Sequence, residues 1–374
     1  MSTERPLKIL HLVGDCEDAG GVLSVIRNLD SVSHGTGFEH IVWVNQRYKE
    51  TRQPSLTYRY SDSVLAESSK HFDLLLQAFP AAKELQKLCE QEHFDVVHAH
   101  SRGTLLISLL FAQRSKRKVV YTNHNYANST WLYRWAAKNQ RMTTVVLTQN
   151  MAKHYGLPGG TPRVHQISAC YHDDYLTAPL TKRRDLSAPS NTIKIIGVGS
   201  VIGWKKWDLV VEAIRRLDPA LQKRIEFNIW GPTLQFPEAI AFADRLKKSI
   251  KQHHLTSVVH LRGSTTDVVG ELHNSDLFIL PSTNEPCSVA LMEALALGLP
   301  VIVSESGGSV DIIKKGCGLH FKVDDPDSLK ASLERAIDAP DQFRLPEEIR
   351  ETVRERCATR VFGLYQTLYK DITS

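Results

Sequence analysis

Residues 276–305 read DLFILPSTNEPCSVALMEALALGLPVIVSE, with two short apolar runs on either side of a longer segment. The runs at 277–280 and 301–303 are partly β-branched or aromatic, which predicts buried strands. The segment between them predicts a helix, because Pro286 suits a first helical turn and the later Gly-Leu-Pro is typical of a helix end. The stretch therefore predicts a strand, a helix and a second strand parallel to the first.

The same alternation of strands and helices continues along the chain. Further strands are predicted at residues 8–13, 40–44, 94–100, 118–122, 144–148, 194–199, 225–230 and 258–263. Helices are predicted at residues 22–29, 72–92, 151–155, 207–217, 236–253, 329–337 and 346–369. Strands that alternate with helices in this way predict an α/β fold with parallel, doubly wound sheets.

The length of 374 residues exceeds one usual hydrophobic core, so two domains are expected. A run rich in proline, serine and charged residues, typical of a linker, separates the two series of strands. We therefore predict an N-terminal domain over residues 1–178, a linker over 179–192 and a C-terminal domain over 193–345. The last segment, residues 346–374, is predicted to be a helix that packs back on the N-terminal domain.

The composition, with 42% hydrophobic and 23% charged residues, is that of a soluble globular protein. We find neither an apolar run long enough for a membrane span nor the apolar core of a signal peptide, so a cytoplasmic protein is expected. The net charge of +5 permits contact with anionic lipid or phosphate-bearing substrates without requiring it. The six cysteines lack a C-x-x-C spacing, which favours reduced thiols over zinc ligands or disulfides.

Two carboxylates in the opening stretch indicate a ligand site. Glu293 follows Glu285 by eight positions, about 12 Å along a helix, and stands in an otherwise apolar segment. A lone carboxylate is costly to bury there unless something binds it. Ligands of open α/β sheets bind at the carboxyl ends of strands, beside helix N-termini. The alternative is that Glu285 only complements the helix dipole and that Glu293 is a helix residue with one exposed edge.

The opening stretch resembles the Glu-x7-Glu signature of retaining glycosyltransferases of family 4. That family has the GT-B fold, in which two Rossmann-like doubly wound domains face an interdomain cleft, and the resemblance extends over the whole chain. It implies that Glu285 meets the donor sugar and that Glu293 meets the ribose hydroxyls.

The start of the helix departs from the family pattern, because Pro-Cys-Ser at residues 286–288 replaces the usual Gly-Phe-Gly. The resemblance still assigns Pro286, Cys287, Ser288 and Val289 to donor binding. Pro286 removes one N–H donor, whereas the backbone N–H groups of Cys287 and Ser288 can face a phosphate.

Residues 198–209, VGSVIGWKKWDL, resemble the family pattern V-G-R-x-x-x-x-K-G-x-D-x-L. By position, Lys205 is the phosphate-binding lysine, whose ammonium would stabilise charge on the leaving diphosphate. Ser200 replaces the family's arginine, and Lys206 replaces its glycine and is a candidate to supply the missing charge. Gly231, after the next strand, is assigned to the same donor site. Without the resemblance, the two lysines would be interpreted as an ordinary solvated pair.

A histidine and a glycine pair complete the candidate site. His124 follows a predicted strand, where the resemblance places a histidine near the anomeric carbon of the donor. A structural histidine bonded to a neighbouring loop is the alternative. Gly20 and Gly21 follow the first strand and offer backbone N–H groups to a ligand. His98 and His100 are expected to be structural, with His98 satisfying backbone groups.

Two further clusters, RSKRK at 114–118 and WLYRW at 131–135, could contact phospholipid or a lipid-diphosphate acceptor. Such runs are more often solvated helix ends and core aromatics, and we prefer that interpretation. Peripheral contact with the inner face of the membrane is therefore a secondary expectation.

The resemblance implies a retaining glycosyltransferase of the hexosyltransferase type. The donor would be a UDP-, GDP- or ADP-linked sugar bound mainly by the second domain, and the acceptor a glycan or lipid-linked molecule bound by the first. The pathway implied is cell-surface polysaccharide, lipopolysaccharide or glycolipid synthesis. No metal, other cofactor or nucleic-acid partner is expected, since the nucleotide sugar is a substrate. The alternatives are a sugar-nucleotide epimerase of the same fold and a non-catalytic scaffold that binds sugar nucleotides.

Overall fold

The computed structural model describes residues 5–14, 18, 20–63, 71–157 and 161–374. The chain divides into two compact units, one formed by Met1–Cys170 with Ala358–Ser374 and the other by Tyr171–Cys357. The first unit thus ends before the boundary placed at residue 178 from the sequence, and the segment interpreted as a linker, 179–192, belongs to the second unit.

The first unit is built on one parallel sheet. Among its described residues the strands are β1 (Leu7–Leu12), β2 (Phe38–Asn45), β3 (Thr57–Ser61), β4 (Val96–Ala99), β5 (Val119–Asn123), β6 (Met142–Val146) and β7 (Val164–Gln166). Their order in the sheet is β3-β2-β1-β4-β5-β6-β7, and every neighbouring pair is parallel. Every residue of β4 and β5 is buried, as expected for central parallel strands covered on both faces.

The helices that follow these strands are α1 (Gly21–Ser33), α2 (His71–Glu92), α3 (Arg102–Ser115), α4 (Trp131–Lys138) and α5 (Gln149–His154). Helix α3 shows why the sequence starts a helix after β4. The Ser101 side chain accepts a hydrogen bond from the Thr104 N–H, and the Thr104 hydroxyl accepts one from the Ser101 N–H. These two capping hydrogen bonds therefore fix the start of α3 immediately after the carboxyl end of β4.

The second unit, all of which is described, repeats the plan with a six-stranded parallel sheet. Its strands are β8 (Ile193–Val198), β9 (Ile225–Trp230), β10 (Val259–Gly263), β11 (Leu277–Leu280), β12 (Val301–Ser304) and β13 (Gly318–Phe321), in the order β10-β9-β8-β11-β12-β13. In each sheet the order in which successive strands are added reverses at one point. This switch point lies between β1 and β4 in the first unit and between β8 and β11 in the second.

The helices of the second unit are α6 (Asp174–Thr177), α7 (Trp207–Arg215), α8 (Pro219–Gln222), α9 (Pro237–Gln252), α10 (Val268–His273), α11 (Val289–Ala296), α12 (Ser309–Ile312), α13 (Pro326–Asp338) and α14 (Pro346–Glu351). Trp207 is fully buried against β8, where a Cβ on Gly197 would lie 2.5 Å from its ring. A glycine at this position therefore lets α7 pack closely on the sheet.

The end of the chain differs from the single helix predicted over 346–374. After α14, a 3₁₀ turn at Arg354–Arg356 precedes α15 (Ala358–Thr373), and only α15 belongs to the first unit. The break arises because Cys357 is extended and forms an isolated parallel bridge with Tyr171. The buried face of α15 includes Tyr365 and Tyr369.

The opening stretch folds as predicted in two of its three elements. The strand at 277–280 is β11, and the strand at 301–303 is β12 with one residue more. The helix, however, begins at Val289 and not near Pro286, because the Ser288 side chain caps it by accepting a hydrogen bond from the Leu291 N–H at 3.2 Å. The strands β3, β7 and β13 were not predicted. The two parallel sheets confirm the predicted class of two doubly wound α/β domains.

Candidate functional site

The switch point of the second sheet brings two predicted residues together. In doubly wound sheets, ligands bind at the carboxyl ends of the strands where the strand order reverses. Here the segment after β8 carries Lys205 and the segment after β11 carries Glu285. The Nζ atom of Lys205 lies 2.7 Å from the Oε2 atom of Glu285, and each side chain is only 11% exposed. Among the described residues, Glu285 is the only acceptor hydrogen-bonded to this ammonium.

Close backbone packing holds Lys205 in this position. A Cβ on Gly231 would lie 2.1 Å from the carbonyl oxygen of Gly199, so the ends of β8 and β9 approach in a way that only glycine permits. A Cβ on Gly199 would in turn lie 3.2 Å from the lysine Cε. The Trp204 ring, with its centroid 4.3 Å from Nζ, adds a cation–π contact. The ammonium is therefore held by the backbone below it and an aromatic ring beside it.

The backbone of Glu285 is fixed by the loop after β12. Its carbonyl oxygen accepts a hydrogen bond from the Gly308 N–H at 2.7 Å. Gly307 has φ 59°, and a Cβ there would lie 2.3 Å from the same carbonyl oxygen. Asn284 donates its N–H to the Ser306 hydroxyl at 3.1 Å. The loops after β11 and β12 are thus locked together, which directs the Glu285 carboxylate toward Lys205.

The other residues of the second unit that were assigned to donor binding have different surroundings. Lys206 forms an ion pair with Asp324 at 2.8 Å, so its charge is directed to that carboxylate and does not join the Lys205–Glu285 pair. Ser200 is half-buried, and its carbonyl oxygen accepts a hydrogen bond from the Trp207 indole at 3.1 Å. Cys287 and Ser288 are buried just before α11, while Val289 is its first residue and Pro286 lies in the preceding loop.

The second carboxylate of the pair, Glu293, lies on α11 and is half-buried. Its side chain is hydrogen-bonded to Tyr175 of α6. Burial and the nearby Glu293 carboxylate raise the pKa of Tyr175, so the phenol is the donor in this bond. Tyr175 was not predicted from the sequence, because its stretch carries no motif and only the packing of α6 beside α11 brings the two residues together.

In the first unit, the segment after β1 carries Gly20 and Gly21. The predicted loop over 14–21 includes positions 15–17 and 19, which lie outside the described residues. Gly20 has φ 86° and precedes α1, and a Cβ on either glycine would meet no atom within 4 Å. No described residue therefore blocks a ligand from approaching these two glycines.

Asp18, which lies in the same segment and is described, is a buried carboxylate. Asp18 accepts two hydrogen bonds from Arg27, each 2.9 Å long, and two more from the backbone N–H groups of Thr51 and Arg52. Burial alone would raise the pKa of Asp18, but the bonds from Arg27 and Thr51 lower it to about 2. This ion pair, which was not predicted from the sequence, ties Asp18 to α1.

His124 follows β5 and is half-buried. Its Nε2 lies 3.1 Å from Nδ1 of His100, so its partner is a residue after the neighbouring strand β4. His100 Nε2 lies 2.8 Å from His11 Nδ1, and His11 Nε2 lies 2.8 Å from His40 Nδ1. Four imidazoles thus form one hydrogen-bonded chain across β2, β1, β4 and β5, which are adjacent in the sheet. We call these four residues the histidine chain.

The histidine chain is neutral at pH 7. Burial lowers the pKa of His40 and of His124 to about 4, and it lowers those of His11 and His100 well below the usual value. Neighbouring histidines add to the effect at His11 and His100, since a second positive charge would repel the first.

His98 does not satisfy backbone groups, as the sequence analysis proposed. Its Nδ1 lies 2.8 Å from the Tyr369 hydroxyl and its Nε2 2.7 Å from the Thr122 hydroxyl. His11, His98 and His100 are close enough for three ring nitrogens to share a metal ion. Every ring nitrogen of these three histidines already has a hydrogen-bond partner, however, so we interpret the cluster as a hydrogen-bonded network.

The aromatic cluster at 131–135 is only partly in the core. Leu132 and Tyr133 are buried, but Trp131 and Trp135 are 60% and 54% exposed, so the interpretation of the tryptophans as core residues was wrong. Among the described residues, no helix is both long and apolar enough to cross a bilayer. The cysteines of the described regions are buried and form no disulfide with one another, and Cys16 lies outside those regions.

Two protein-family models match the chain, one to each half. The model described as Glycosyltransferase Family 4 matches residues 19–167, and the model described as Glycosyl transferases group 1 matches residues 180–356. Together they cover most of the first unit and nearly all of the second.

A relative from Escherichia coli, named UDP-Gal:alpha-D-GlcNAc-diphosphoundecaprenol alpha-1,3-galactosyltransferase, is 27% identical over 71% of this chain and 72% of its own length. Sucrose-phosphate synthase of Thermosynechococcus elongatus has a similar structure, with a TM-score of 0.79 and 16% identity over 98% of this chain and 99% of its own. HepE of Anabaena, solved with UDP and glucose, has a TM-score of 0.76 and 15% identity over 98% of this chain and 100% of its own. The chain therefore belongs to glycosyltransferase family 4 and has the two-domain GT-B fold.

Proposed function

We propose that this glycosyltransferase is a retaining enzyme that moves a hexose from a nucleotide-sugar donor to a glycan or lipid-linked acceptor. The observation that carries the proposal is the Lys205–Glu285 ion pair at the switch point of the second sheet. A fixed cation paired to a residue just before α11 suits a diphosphate, and the carboxylate beside it suits sugar hydroxyls. Donors linked to UDP, GDP or ADP are all compatible with this chemistry.

Lys205 is the residue best suited to the leaving group. An ammonium has three N–H donors, and Glu285 occupies one of them, which leaves two for phosphate oxygens. Negative charge grows on the diphosphate as the bond to the sugar breaks, and a cation held in place before the reaction stabilises that charge. Lys206 is paired with Asp324, so we assign the leaving-group role to Lys205 and a lesser donor contact to Lys206.

Glu293 is proposed to bind the ribose of the donor. Tyr175 donates its hydroxyl hydrogen to this carboxylate and thereby orients it. Because a carboxylate has several acceptor positions, it can accept from a ribose hydroxyl at the same time. The remaining donor contacts are assigned to Ser200, Gly231, Cys287, Ser288 and Val289, and those of the first unit to Gly20 and Gly21.

The proposed reaction keeps the configuration of the anomeric carbon. The bond from that carbon to the diphosphate oxygen breaks while the acceptor oxygen bonds on the same face. The proton of the acceptor hydroxyl passes to the departing phosphate oxygen, so neither a protein nucleophile nor a metal ion enters the proposed step. His124 is proposed to contact the reacting sugar, and Glu285 to hold its hydroxyls.

An exposed face of α4 supports peripheral association with a membrane. Trp131, Arg134, Trp135 and Lys138 are all exposed and, at spacings of three and four residues, share one side of the helix. Tryptophan and basic residues together suit the headgroup region of an anionic bilayer. The relative from Escherichia coli has a diphosphoundecaprenol in its name. We therefore place the proposed reaction at the inner face of the membrane, in polysaccharide, lipopolysaccharide or glycolipid synthesis.

The proposal is tested by incubating the protein with UDP-, GDP- and ADP-linked sugars and a panel of glycan and lipid-diphosphate acceptors. NMR of the product should show the anomeric configuration of the donor, whereas an inverted product would overturn retention. Conversion of the donor to its epimer without acceptor would instead support the epimerase alternative. Donor binding with no turnover across the panel would support a non-catalytic scaffold.

A further inference from the structure

The histidine chain ends at His124, the residue proposed to contact the sugar. Its three links measure 2.8 Å between His40 and His11, 2.8 Å between His11 and His100, and 3.1 Å between His100 and His124. We propose that His40, His11 and His100 are positioning residues that decide which ring nitrogen of His124 carries its proton. The value of this for catalysis rests on the proposed role of His124, but the tautomer can be measured without any activity.

Hydrogen-bond chemistry allows this chain only two arrangements. A neutral imidazole has one N–H donor and one lone-pair acceptor, and each link joins two ring nitrogens. If one ring donates in a given direction, the next must donate in the same direction. In one arrangement His124 accepts at Nε2 and carries its proton on Nδ1. In the other it donates from Nε2 and presents a bare Nδ1.

His40, at the far end of the histidine chain, selects between the two arrangements. His40 is 2% exposed, and its Nε2 has no hydrogen-bond partner among the described residues. When the protons point toward His124, this buried nitrogen is a bare lone pair. When they point away, it is an N–H without an acceptor, which is the rarer state of a buried polar group in folded proteins. The first arrangement, with the proton of His124 on Nδ1, is therefore assigned.

The rings that lie between the two ends are held firmly. The His100 ring lies 4.1 Å from the His98 ring, measured between centroids, and hydroxyl groups of Thr122 and Tyr369 fix both nitrogens of His98. The backbone N–H of His100 also donates to Leu12 at 3.1 Å. A flip of the His100 ring would also break its links to His11 and His124, so the arrangement set at His40 is transmitted to His124.

The consequence is a neutral N–H donor at His124. With Nε2 occupied by His100, Nδ1–H is the group of His124 that is left to face a ligand. A neutral donor in a fixed direction suits an oxygen of the sugar or of the acceptor, and it does not depend on taking up a proton at pH 7. Residues on β1 and β2 thereby influence a group at the end of β5.

The test uses the full chain labelled with ¹⁵N-histidine, in which long-range ¹H–¹⁵N correlation spectra report the tautomer of each ring. The His124 signals, assigned by their loss in His124→Asn, should show the proton on Nδ1. In His40→Asp a carboxylate takes the place of Nδ1 of His40, and in its ionised form, selected by recording the spectra at a pH above its pKa, it can only accept. His11 must then donate from Nε2, all three links reverse, and the proton of His124 should move to Nε2. The exposed residue His165 provides the matched control, His165→Asp, which should leave the His124 signals unchanged.

Two results would overturn the proposal: a wild-type His124 with its proton on Nε2 or in a mixture of tautomers, and a folded His40→Asp variant whose His124 keeps the proton on Nδ1. If His40→Asp does not fold, His100→Leu cuts the last link, and His124 should then show a mixture of tautomers. A single unchanged tautomer in that variant would also overturn the proposal.

A transfer assay separates the histidine chain from the proposed function. Reversal of the histidine chain should lower kcat by about tenfold or more while KM for the donor stays within about twofold, because most of the donor contacts are assigned to the second unit and the reversal leaves the first-unit contacts of Gly20 and Gly21 in place. If the His40→Asp variant has the reversed His124 tautomer but a wild-type kcat, the positioning role is contradicted. A wild-type protein with the assigned tautomer and no transfer at all would count against the proposed function only.

Discussion

The ammonium of Lys205 and the carboxylate of Glu285 lie 2.7 Å apart, although 80 positions separate the two residues in the chain. Their meeting follows from the topology, since β8 and β11 are neighbours in the sheet and both residues follow the carboxyl ends of these strands. The pair is almost buried, and the partner charges compensate each other. A diphosphate ligand would therefore meet a cation whose position is set before binding.

Replacing this cation should weaken diphosphate binding. Lys205→Met keeps most of the apolar stem but removes the charge, and a hydrogen bond to a charged group contributes roughly 1.5–3 kcal/mol. The affinity for the nucleoside diphosphate that the wild type binds should fall by about ten- to a hundredfold. Calorimetric titration of UDP, GDP and ADP measures the change. Lys206→Met, which removes a cation paired with Asp324, serves as the control and should have a smaller effect. Equal affinities for wild type and Lys205→Met would rule out the phosphate role.

Glu293 should give the donor site its preference for ribose hydroxyls. In Glu293→Ala, the affinity for the nucleoside diphosphate should drop to that of its 2′,3′-dideoxy analogue, and the wild-type preference between the two ligands should disappear. Tyr175→Phe removes the hydroxyl that orients the carboxylate and should reduce the same preference by several-fold without abolishing it. Competition binding with the two nucleotides measures both variants. A Glu293→Ala protein that still prefers the ribose form would show that the carboxylate does not bind the ribose.

These residues also show what the sequence can and cannot reveal. Glu285, Glu293 and Lys205 could be selected from the sequence because each belongs to a linear pattern beside a predicted strand. Tyr175 could not, since its partner Glu293 is more than a hundred positions away and only the packing of α6 and α11 joins them. The start of α11 was misplaced because the capping hydrogen bond of Ser288 outweighed the preference of proline for a first turn.

The histidine chain was hidden for a different reason. His11 and His40 read as ordinary members of apolar strands, and nothing in their local patterns predicts a shared contact. The four rings line up only when the sheet order β2-β1-β4-β5 is known, together with a register that sets Ile9 opposite His40 and His11 opposite His98. The exposed tryptophans of α4 were within reach of the sequence, because Trp131, Arg134, Trp135 and Lys138 share one helical face.

Burial of the histidine chain should make the first unit sensitive to acid. The pKa of His40 is lowered to about 4 by burial and by the charge of His34, whereas the unfolded value is about 6.5. Between these values the unfolded chain binds more protons, so the contribution is complete above pH 6.5 and is lost as the pH falls toward 4. At pH 5, His40 alone should lower the free energy of unfolding by roughly 2 kcal/mol relative to pH 7.

Urea unfolding at pH 7 and pH 5 measures this effect, with pulsed hydrogen exchange of peptides from β1 and β2 to follow the first unit separately. His40→Gln, which does not titrate, should lose less stability than the wild type over this interval. His165→Gln alters an exposed histidine and should retain the wild-type difference. A His40→Gln protein with the full wild-type pH dependence would show that His40 is not the buried titrating group.

The tryptophan face of α4 should bind anionic bilayers. Trp131 and Trp135 are more than half exposed, and Arg134 and Lys138 stand between and beside them on the same face. Insertion of the indole rings at the headgroup level, with the basic side chains near lipid phosphates, should give binding that grows with anionic lipid and weakens with salt. Co-sedimentation with vesicles of phosphatidylcholine, with and without phosphatidylglycerol, measures it.

The double variant Trp131→Ala/Trp135→Ala should lower vesicle binding at least about a hundredfold, because each buried aromatic side chain contributes on the order of 1.5–3 kcal/mol. Leu364→Ala removes a side chain that is 52% exposed on α15 of the same unit, and it should bind vesicles like the wild type. Transfer to a short water-soluble acceptor should be unaffected in both proteins, since neither change touches the residues assigned to the reaction. If the double variant binds vesicles like the wild type, the tryptophan face of α4 is not the membrane-binding surface. If the wild type binds neutral and anionic vesicles equally, the basic side chains do not contribute to binding.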